Sequence, residues 1–329
     1  MARRQRLCPE ITDPQLRAFL DIVPSIRSFQ AGILDGQKQL GEKLVLPLEG
    51  RELTVYLHRA EKPGQPVIYE LHGGGFVFGD ARKDDGICHT MASVSGCNVV
   101  GIDYRLVPEA PYPAAVDDLC DVMAYFREHE ADYGMNGHLA GVVGFSGGAT
   151  IAASAGLRAA AGEFPLKGLV LHHPYLDSVH MPSEKEHFDC DMDPAVMEAF
   201  TRLYSREEER GLPAVSPVMA ESSDLINYPA AMILPAEKDA LRKEGLLFAD
   251  KLREAGVEVY CRVMPETHHG YVEDAGNMDF FNSVTMEDTK KTLSPYFTAW
   301  AAAAVRMSAL FLGEKLRSEK SGGTDGRQA

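Results

Sequence analysis

"VVGFSGGATIAAS", Val142 to Ser154, is the stretch on which the fold turns. An apolar run leads in, and an Ala-rich run of helical composition leads out. Between them Gly144, Phe145, Ser146, Gly147 and Gly148 make the spacing G-x-S-x-G. In a chain with 30 glycines that spacing alone says little. Set between a strand and a helix, it describes a nucleophile elbow. Such a turn is so sharp that no side chain fits beside the serine, and the hydroxyl is lifted clear of the sheet. The N-terminus of the following helix adds partial positive charge where an oxyanion would form. Ser146 is therefore the candidate nucleophile.

Outward from this turn, apolar β-rich runs alternate with helical patterns from about residue 43. Strand candidates are "KLVLPL", "LTVYLHRA", "PVIYELHG", "NVVGIDYR", "HLAGVVGF", "LKGLVLHHP", "AAMILPAE" and "VEVYCRVM". Several are apolar throughout rather than alternating, as parallel strands covered on both faces should be. Helical patterns such as "YPAAVDDLCDVMAYFREHE", "GGATIAASAGLRAAAG" and "LRKEGLLFADKLREAG" lie between them. The alternation predicts an α/β protein, an open and mostly parallel sheet of eight strands with helices on both faces. Two segments stand outside it. Residues 1–42 carry a helical pattern before the sheet begins. Residues 177–227, in approximate bounds, interrupt the sheet with "MDPAVMEAFTRLYSREEERG", where Asp193 can cap a helix and Pro194 fits its first turn. Together they are expected to form a helical cap over one end of a catalytic domain spanning 43–317. The tail "SEKSGGTDGRQA", residues 318–329, has no apolar residue larger than Ala and is expected to be disordered.

Three further motifs bear on chemistry. "YELHGGGFVFG" places His72 and then Gly73, Gly74 and Gly75 directly after an apolar strand. Without Cβ atoms such a loop can turn backbone N–H groups together toward a developing negative charge, as an oxyanion hole requires. Neither phosphate-loop pattern, G-x-x-x-x-G-K-[ST] or G-x-G-x-x-G, is satisfied, and His72 reads as a residue that holds the loop. "LPAEKDALRKEG" offers two acids, Glu237 and Asp239, at the end of the next-to-last strand. "PETHHGYV", at the end of the last strand, adds the adjacent His268 and His269. Adjacent side chains on an extended loop point in different directions, so only one histidine can face Ser146. The chain order serine, acid, histidine suits a triad in which the acid orients a histidine base.

Composition limits the partners. At 329 residues, 45% hydrophobic and 25% charged, the chain has the make-up of a globular protein. A net charge of −15 repels phosphates, which disfavours nucleic acid and anionic membrane surfaces. The run nearest to a membrane span, "FTAWAAAAVRMSALFL", is broken by Arg306, and stable membrane insertion is not expected. "MARRQRLCPEITDP" lacks the apolar core of a secretory signal. The six cysteines are scattered without a C-x-x-C pair and read as reduced thiols, so the expected compartment is the cytoplasm. "HFDCDMDP" spaces Asp189, Asp191 and Asp193 like the start of a calcium loop. Pro194 stands where that loop needs glycine and Phe200 where it needs a bidentate Glu, so no metal is expected.

Taken together, these motifs resemble the hormone-sensitive-lipase-like group of α/β-hydrolase esterases, which includes many bacterial carboxylesterases. The resemblance covers roughly residues 45–275 and rests on "HGGGF", "DYRLVPEAPYPAAVDD", "GFSGG", "AEKDALRKEG" and "HGY". The long second motif is the most specific, since no catalytic logic demands it; in such enzymes it supports the active-site loops. The resemblance implies an α/β-hydrolase fold with a helical cap, Ser146 as nucleophile and Asp239 as the acid. His269, the histidine directly before Gly-aromatic, is the implied base. Two N–H groups of the Gly73, Gly74 and Gly75 loop, plus that of Gly147, are the implied oxyanion hole, with no metal or organic cofactor. Many relatives carry an acidic residue just before the serine and an alanine just after it, where this chain has Phe145 and Gly147.

The implied activity is hydrolysis of small to medium acyl esters through an acyl-serine, with a small-molecule ester as partner; a homodimer is compatible with the same features. An amidase, deacetylase or lactonase with the same triad is the alternative. A non-catalytic receptor on this fold, like the plant gibberellin receptors that the family resembles, is disfavoured by an intact Ser146, Asp239 and His269.

Overall fold

The computed structural model describes residues 13–287, 290 and 293–317; residues 1–12 of the N-terminal segment and the tail 318–329 lie outside the described residues. In chain order the elements are α1 (Pro14–Asp35), β1 (Glu42–Leu48), β2 (Arg51–His58), β3 (Gln65–Leu71), α2 (Asp85–Ser95), β4 (Asn98–Ile102), α3 (Ala114–Glu128), α4 (Glu130–Tyr133), β5 (Met135–Phe145), α5 (Gly147–Ala160) and β6 (Gly168–His172). There follow α6 (Pro194–Tyr204), β7 (Ala230–Leu234), β8 (Ala236–Lys238), α7 (Arg242–Glu254), β9 (Val259–Cys261), β10 (Met264–His268), α8 (Tyr271–Gly276), α9 (Met278–Val284) and α10 (Phe297–Lys315).

Eight strands make one sheet in the order β1-β2-β4-β3-β5-β6-β7-β9. The β1/β2 and β2/β4 pairs are antiparallel and every pair from β4 to β9 is parallel. Two expected strands are divided. "AAMILPAE" breaks after β7 and "VEVYCRVM" after β9, while β8 and β10 form a separate parallel pair. Pro235 lies at the first break and has no N–H to give a ladder. The division puts Glu237 inside β8, Asp239 just beyond it and His268 at the end of β10.

The apolar strands are buried on both faces because successive side chains alternate between them. Tyr69, Val142 and Leu169 join one core with Leu119, Ile151 and Leu252 of α3, α5 and α7. Their neighbours Ile68, Val143 and Val170 join the other with Met91 of α2 and Ala304 and Leu312 of α10. The run that came nearest to a membrane span is thus α10, a helix the sequence reading left unassigned. Its residues Ala301, Ala304, Val305, Ser308, Ala309 and Leu312 are buried at helical spacing and Arg306 is exposed. Among the described residues no helix is long and apolar enough to cross a membrane.

The segments outside the alternation pack together. Asp13 caps α1, its carboxylate accepting from the N–H groups of Gln15 and Leu16, and Asp193 caps α6 through the Ala195 N–H at 2.8 Å. Phe19 of α1 meets Phe200 of α6 edge-on at 5.9 Å and Phe78 at 6.0 Å. Arg27 ties α1 to the loops after β3 and β4, donating to the carbonyls of Val77 and Val107 and pairing with Glu109.

The most specific motif, residues 103–118, braces the glycine loop. Tyr104 donates its hydroxyl to the His72 carbonyl at 2.8 Å and stacks on the His72 ring at 4.2 Å. Asp118, fully buried, accepts from the Arg105 N–H at 2.9 Å and from the guanidinium groups of Arg105 and Arg51. Asp118→Ala strips two arginines of their shared buried acceptor and should cost about 3 kcal/mol of unfolding free energy in urea. Asp121, a partly exposed partner of Arg51 alone, should cost less than about 1 kcal/mol when replaced by Ala. Equal losses would mean that burial of Asp118 is not what makes its pairs count.

Candidate active site

β5 ends at Phe145 and α5 starts at Gly147, which leaves Ser146 alone in the turn at φ 51° and ψ −115°. Side chains other than glycine rarely adopt that geometry, and it costs about 1–3 kcal/mol. The surrounding backbone enforces it. A Cβ on Gly144 would overlap the Gly148 carbonyl, and one on Gly148 would overlap that of Leu71. The Ser146 N–H donates to the His172 carbonyl at 3.1 Å, and the Ser146 carbonyl accepts from the Tyr175 N–H at 3.3 Å.

So fixed, Ser146 Oγ lies 2.8 Å from His269 Nε2. His269 Nδ1 lies 3.0 Å from Asp239 Oδ2, and Asp239 Oδ1 accepts from the Leu241 N–H at 2.9 Å. A neutral imidazole protonated on Nδ1 donates to Asp239 and leaves Nε2 to accept the serine proton. Gly270, at φ 79°, swings the chain from His269 into α8. The other candidates point elsewhere. Glu237 Oε2 accepts from the Glu266 N–H at 2.7 Å. His268 Nε2 lies 3.0 Å from Asp274 Oδ2, and its ring meets Phe297 edge-on.

One N–H of the glycine loop is engaged elsewhere. Gly75 and Gly147 line the pocket with Ser146, but the Gly73 N–H is already donated to Glu273 Oε1 at 2.9 Å. A carboxylate from α8 claims it, which leaves Gly74 and Gly75 as the loop's candidate donors. Phe145 lies outside the pocket lining and stacks on His172 at 4.8 Å in the second core.

Electrostatics single out one imidazole. Burial disfavours a charged His269, but the Asp239 carboxylate outweighs it, with Glu273 and Asp191 adding to the effect, and raises its pKa to about 9. Burial pushes His72 down to about 4 and His172 to about 3, and His173 falls well below its ordinary value. His72 holds its loop through Nδ1, 2.9 Å from the Gly73 carbonyl, and His172 meets Ser308 Oγ at 2.9 Å.

A cavity of about 310 Å³, its open mouth included, lies over Ser146 and His269. Its apolar walls are Phe76, Tyr175, Leu241, Met192, Met197 and Phe200. The Phe200 ring lies so close to Gly75 that a Cβ there would overlap it. None of these walls was picked out from the sequence, since nothing in one chain distinguishes Met192 and Met197 among 13 methionines. Two acids of "HFDCDMDP" act locally, Asp193 as the cap of α6 and Asp191 Oδ2 by accepting from the Phe188 N–H at 2.9 Å. Among the described residues no group of three or more His, Cys, Asp or Glu side chains is arranged to hold a metal ion.

Comparison with known proteins agrees with this architecture. The α/β-hydrolase fold profile matches residues 68–273. The chain is 31% identical over 291 residues to carboxylesterase NlhH of Mycobacterium tuberculosis, covering 81% of this chain and 90% of that protein. It is 36% identical over 214 residues to esterase LipI of the same organism, covering 64% and 67%. A thermostable esterase from Pseudomonas putida superposes with a TM-score of 0.77 at 26% identity, over 93% of this chain and 98% of that one. The chain belongs to the α/β-hydrolase family, within its hormone-sensitive-lipase-like esterase group.

The charge balance around His269 can be read directly. In a proton-detected NMR titration the His269 ring should remain an imidazolium until about pH 9. Asp239→Asn should bring that titration below the ordinary value of 6.5, because burial is then opposed only by weaker partners. A titration unmoved by the substitution would refute Asp239 as the main source of the rise.

Proposed function

We propose that this chain is a serine carboxylesterase that cleaves small to medium acyl esters through an acyl-serine intermediate. The observation that carries the reading is the unbroken line Asp239–His269–Ser146 opening into an apolar pocket beside the glycine loop. His269 Nε2 takes the proton from Ser146 Oγ as that oxygen attacks the ester carbonyl. Asp239 holds the imidazole tautomer and stabilises the imidazolium that forms. The tetrahedral oxyanion faces the N–H groups of Gly74, Gly75 and Gly147, each such donor being worth about 3–4 kcal/mol. His269 then returns the proton to the leaving alcohol. Water, deprotonated by His269, attacks the acyl-Ser146 ester and releases the acid.

The apolar walls favour uncharged acyl groups. In this reading α6 and the rest of the segment 177–227 form a cap with α1 behind it, and Phe200 limits the acyl chain. The described cysteines, Cys88, Cys97, Cys120, Cys190 and Cys261, are free thiols, which suits a reducing compartment such as the cytoplasm.

Because His269 must be neutral to accept the serine proton, kcat/KM should fall on the acid side of about pH 9. Ser146→Ala and His269→Ala should each lower kcat for p-nitrophenyl acetate by about 10⁴-fold or more, and the double variant should be little worse than either. Asp239→Asn should cost up to ~10⁴-fold, while His268→Ala and Glu237→Gln stay within roughly tenfold of wild type, since neither side chain reaches the reacting atoms. An active His269→Ala beside a dead His268→Ala would reverse the histidine assignment; no fluorophosphonate adduct on Ser146 would end the esterase reading.

The pocket wall makes a separate claim. Across p-nitrophenyl esters of increasing length, Phe200→Ala should move the optimum of kcat/KM to longer acyl chains. An unchanged chain-length profile in a folded Phe200→Ala variant would show that α6 does not set the limit.

A further inference from the structure

Behind the reacting groups lies a cluster of ionisable side chains that the proposed chemistry leaves unused. It comprises Glu70 on β3, Lys83 and Asp84 in the 3₁₀ turn Ala81–Asp84, and Glu273 on α8. Glu70, Asp84 and Glu273 are buried. Glu273 is the hub. Its Oε1 accepts from Lys83 Nζ at 2.5 Å and from the Gly73 N–H at 2.9 Å. A Cβ at Gly73 would stand 2.8 Å from both carboxylate oxygens, so a larger residue there would displace the carboxylate from the loop. On the other side, Glu273 Oε2 lies 3.7 Å from His173 Nε2. The His173 ring is buried with no hydrogen bond to either nitrogen, and its edge meets the His269 ring at 4.8 Å. Its backbone sits at φ 32°, a strained value that packing must hold in place.

One carboxylate therefore links the strand-end glycine loop to the packing partner of His269, from the helix that Gly270 starts. We propose that Glu273, anchored by Lys83, is a positioning residue for ester hydrolysis. It fixes the Gly73–Gly75 loop against the His269 loop and supports the imidazolium that forms as Ser146 attacks. The inference rests on the esterase reading above.

Apolar packing could hold the loop at the same distance without burying charge, which is costly. A carboxylate adds two things. Its charge-assisted bond to the Gly73 N–H is directional, and so sets how the adjoining N–H groups aim. It also places negative charge beside His173, the ring packed against His269. The groups facing His269 are Asp239 beyond β8, Asp191 ahead of α6, Glu273 on α8 and His173 after β6. His173, kept neutral by burial, contributes no charge of its own. Those facing Glu273 are Lys83, Asp84, Glu70, Asp274, His173, His72 and Tyr104. Burial raises both Glu70 and Asp84, the latter to about 8, which leaves Lys83 to pair with Glu273.

Two variants of the full chain, assayed with p-nitrophenyl acetate, separate charge from geometry. Glu273→Gln keeps an acceptor for the Gly73 N–H but removes the charge. Its acid limb of kcat/KM should move to lower pH, and its plateau kcat should fall less than that of Glu273→Asp, because the Gly73 N–H still has an acceptor. Glu273→Asp keeps the charge but withdraws the carboxylate from Gly73. Its acid limb should stay put, while plateau kcat falls about 10- to 100-fold with KM nearly unchanged, because a misaimed oxyanion donor is missed mainly in the transition state. An unmoved limb in Glu273→Gln, or a wild-type kcat in Glu273→Asp, would overturn the proposal. Should Glu273→Gln fail to fold, the kcat-against-KM split of Glu273→Asp decides alone. Wild-type turnover that Ser146→Ala abolishes keeps this test apart from the esterase reading. An inactive wild type would sink both, whereas an active one with unaltered Glu273 variants would sink this inference only.

Discussion

Where β5 ends, the backbones of Gly144, Gly148 and Leu71 approach so closely that no Cβ fits between them. This contact forces Ser146 into its strained turn and fixes the start of α5 against the end of β3. The glycine loop leaves the sheet at that same strand end, so serine and candidate oxyanion donors are set by one piece of packing. The strain at Ser146 is tolerable because the neighbouring strands are buried on both faces and cannot relax around it. Most of the sheet serves to hold this junction; the histidine and acid are then delivered to it by the peeled-off pair β8 and β10.

Charge around the junction is distributed unevenly for the same reason. Deep burial holds His72, His172 and His173 neutral, and each works through packing or a single hydrogen bond. At His269 the Asp239 carboxylate, with Glu273 and Asp191, outweighs burial. In the proposed mechanism, an imidazole that favours its charged form stabilises the state it reaches during serine attack. It does so at the expense of the neutral form that begins the cycle, and this shifts the useful pH range upward.

Much of this was legible in the sequence, where local chemistry leaves few choices. Alternating apolar strands and helices gave the sheet, Asp193 and Pro194 the start of α6, and G-x-S-x-G between strand and helix the turn at Ser146. The pairing of Asp239 with His269 came from family resemblance rather than spacing, since Glu237 and His268 lie equally close in the chain. The structure shows why spacing could not choose. Pro235 breaks the ladder, β8 and β10 leave the main sheet, and the direction of each side chain follows from that departure. α10 went unassigned because its alanine-rich run reads as merely apolar until the sheet supplies a face for Ala301, Ala304 and Leu312 to cover.

What stayed illegible is contact between residues far apart in the chain. Nothing in the glycine run says which two of Gly73, Gly74 and Gly75 face the serine, and a carboxylate two hundred positions away holds the Gly73 N–H. The pocket is similar. Phe200 of α6 meets Gly75 and is packed by Phe19 of α1 and by Phe78, and neither helix carries a motif that names its partner. Local turns are written in the residue types that only they permit, so they can be read directly. Surfaces assembled from Met192, Met197 and Phe200 use side chains that would serve equally well in many arrangements. The chemistry of this chain is therefore easier to read than its substrate. The reacting groups need specific residues at a constrained turn, whereas the walls need only apolar volume.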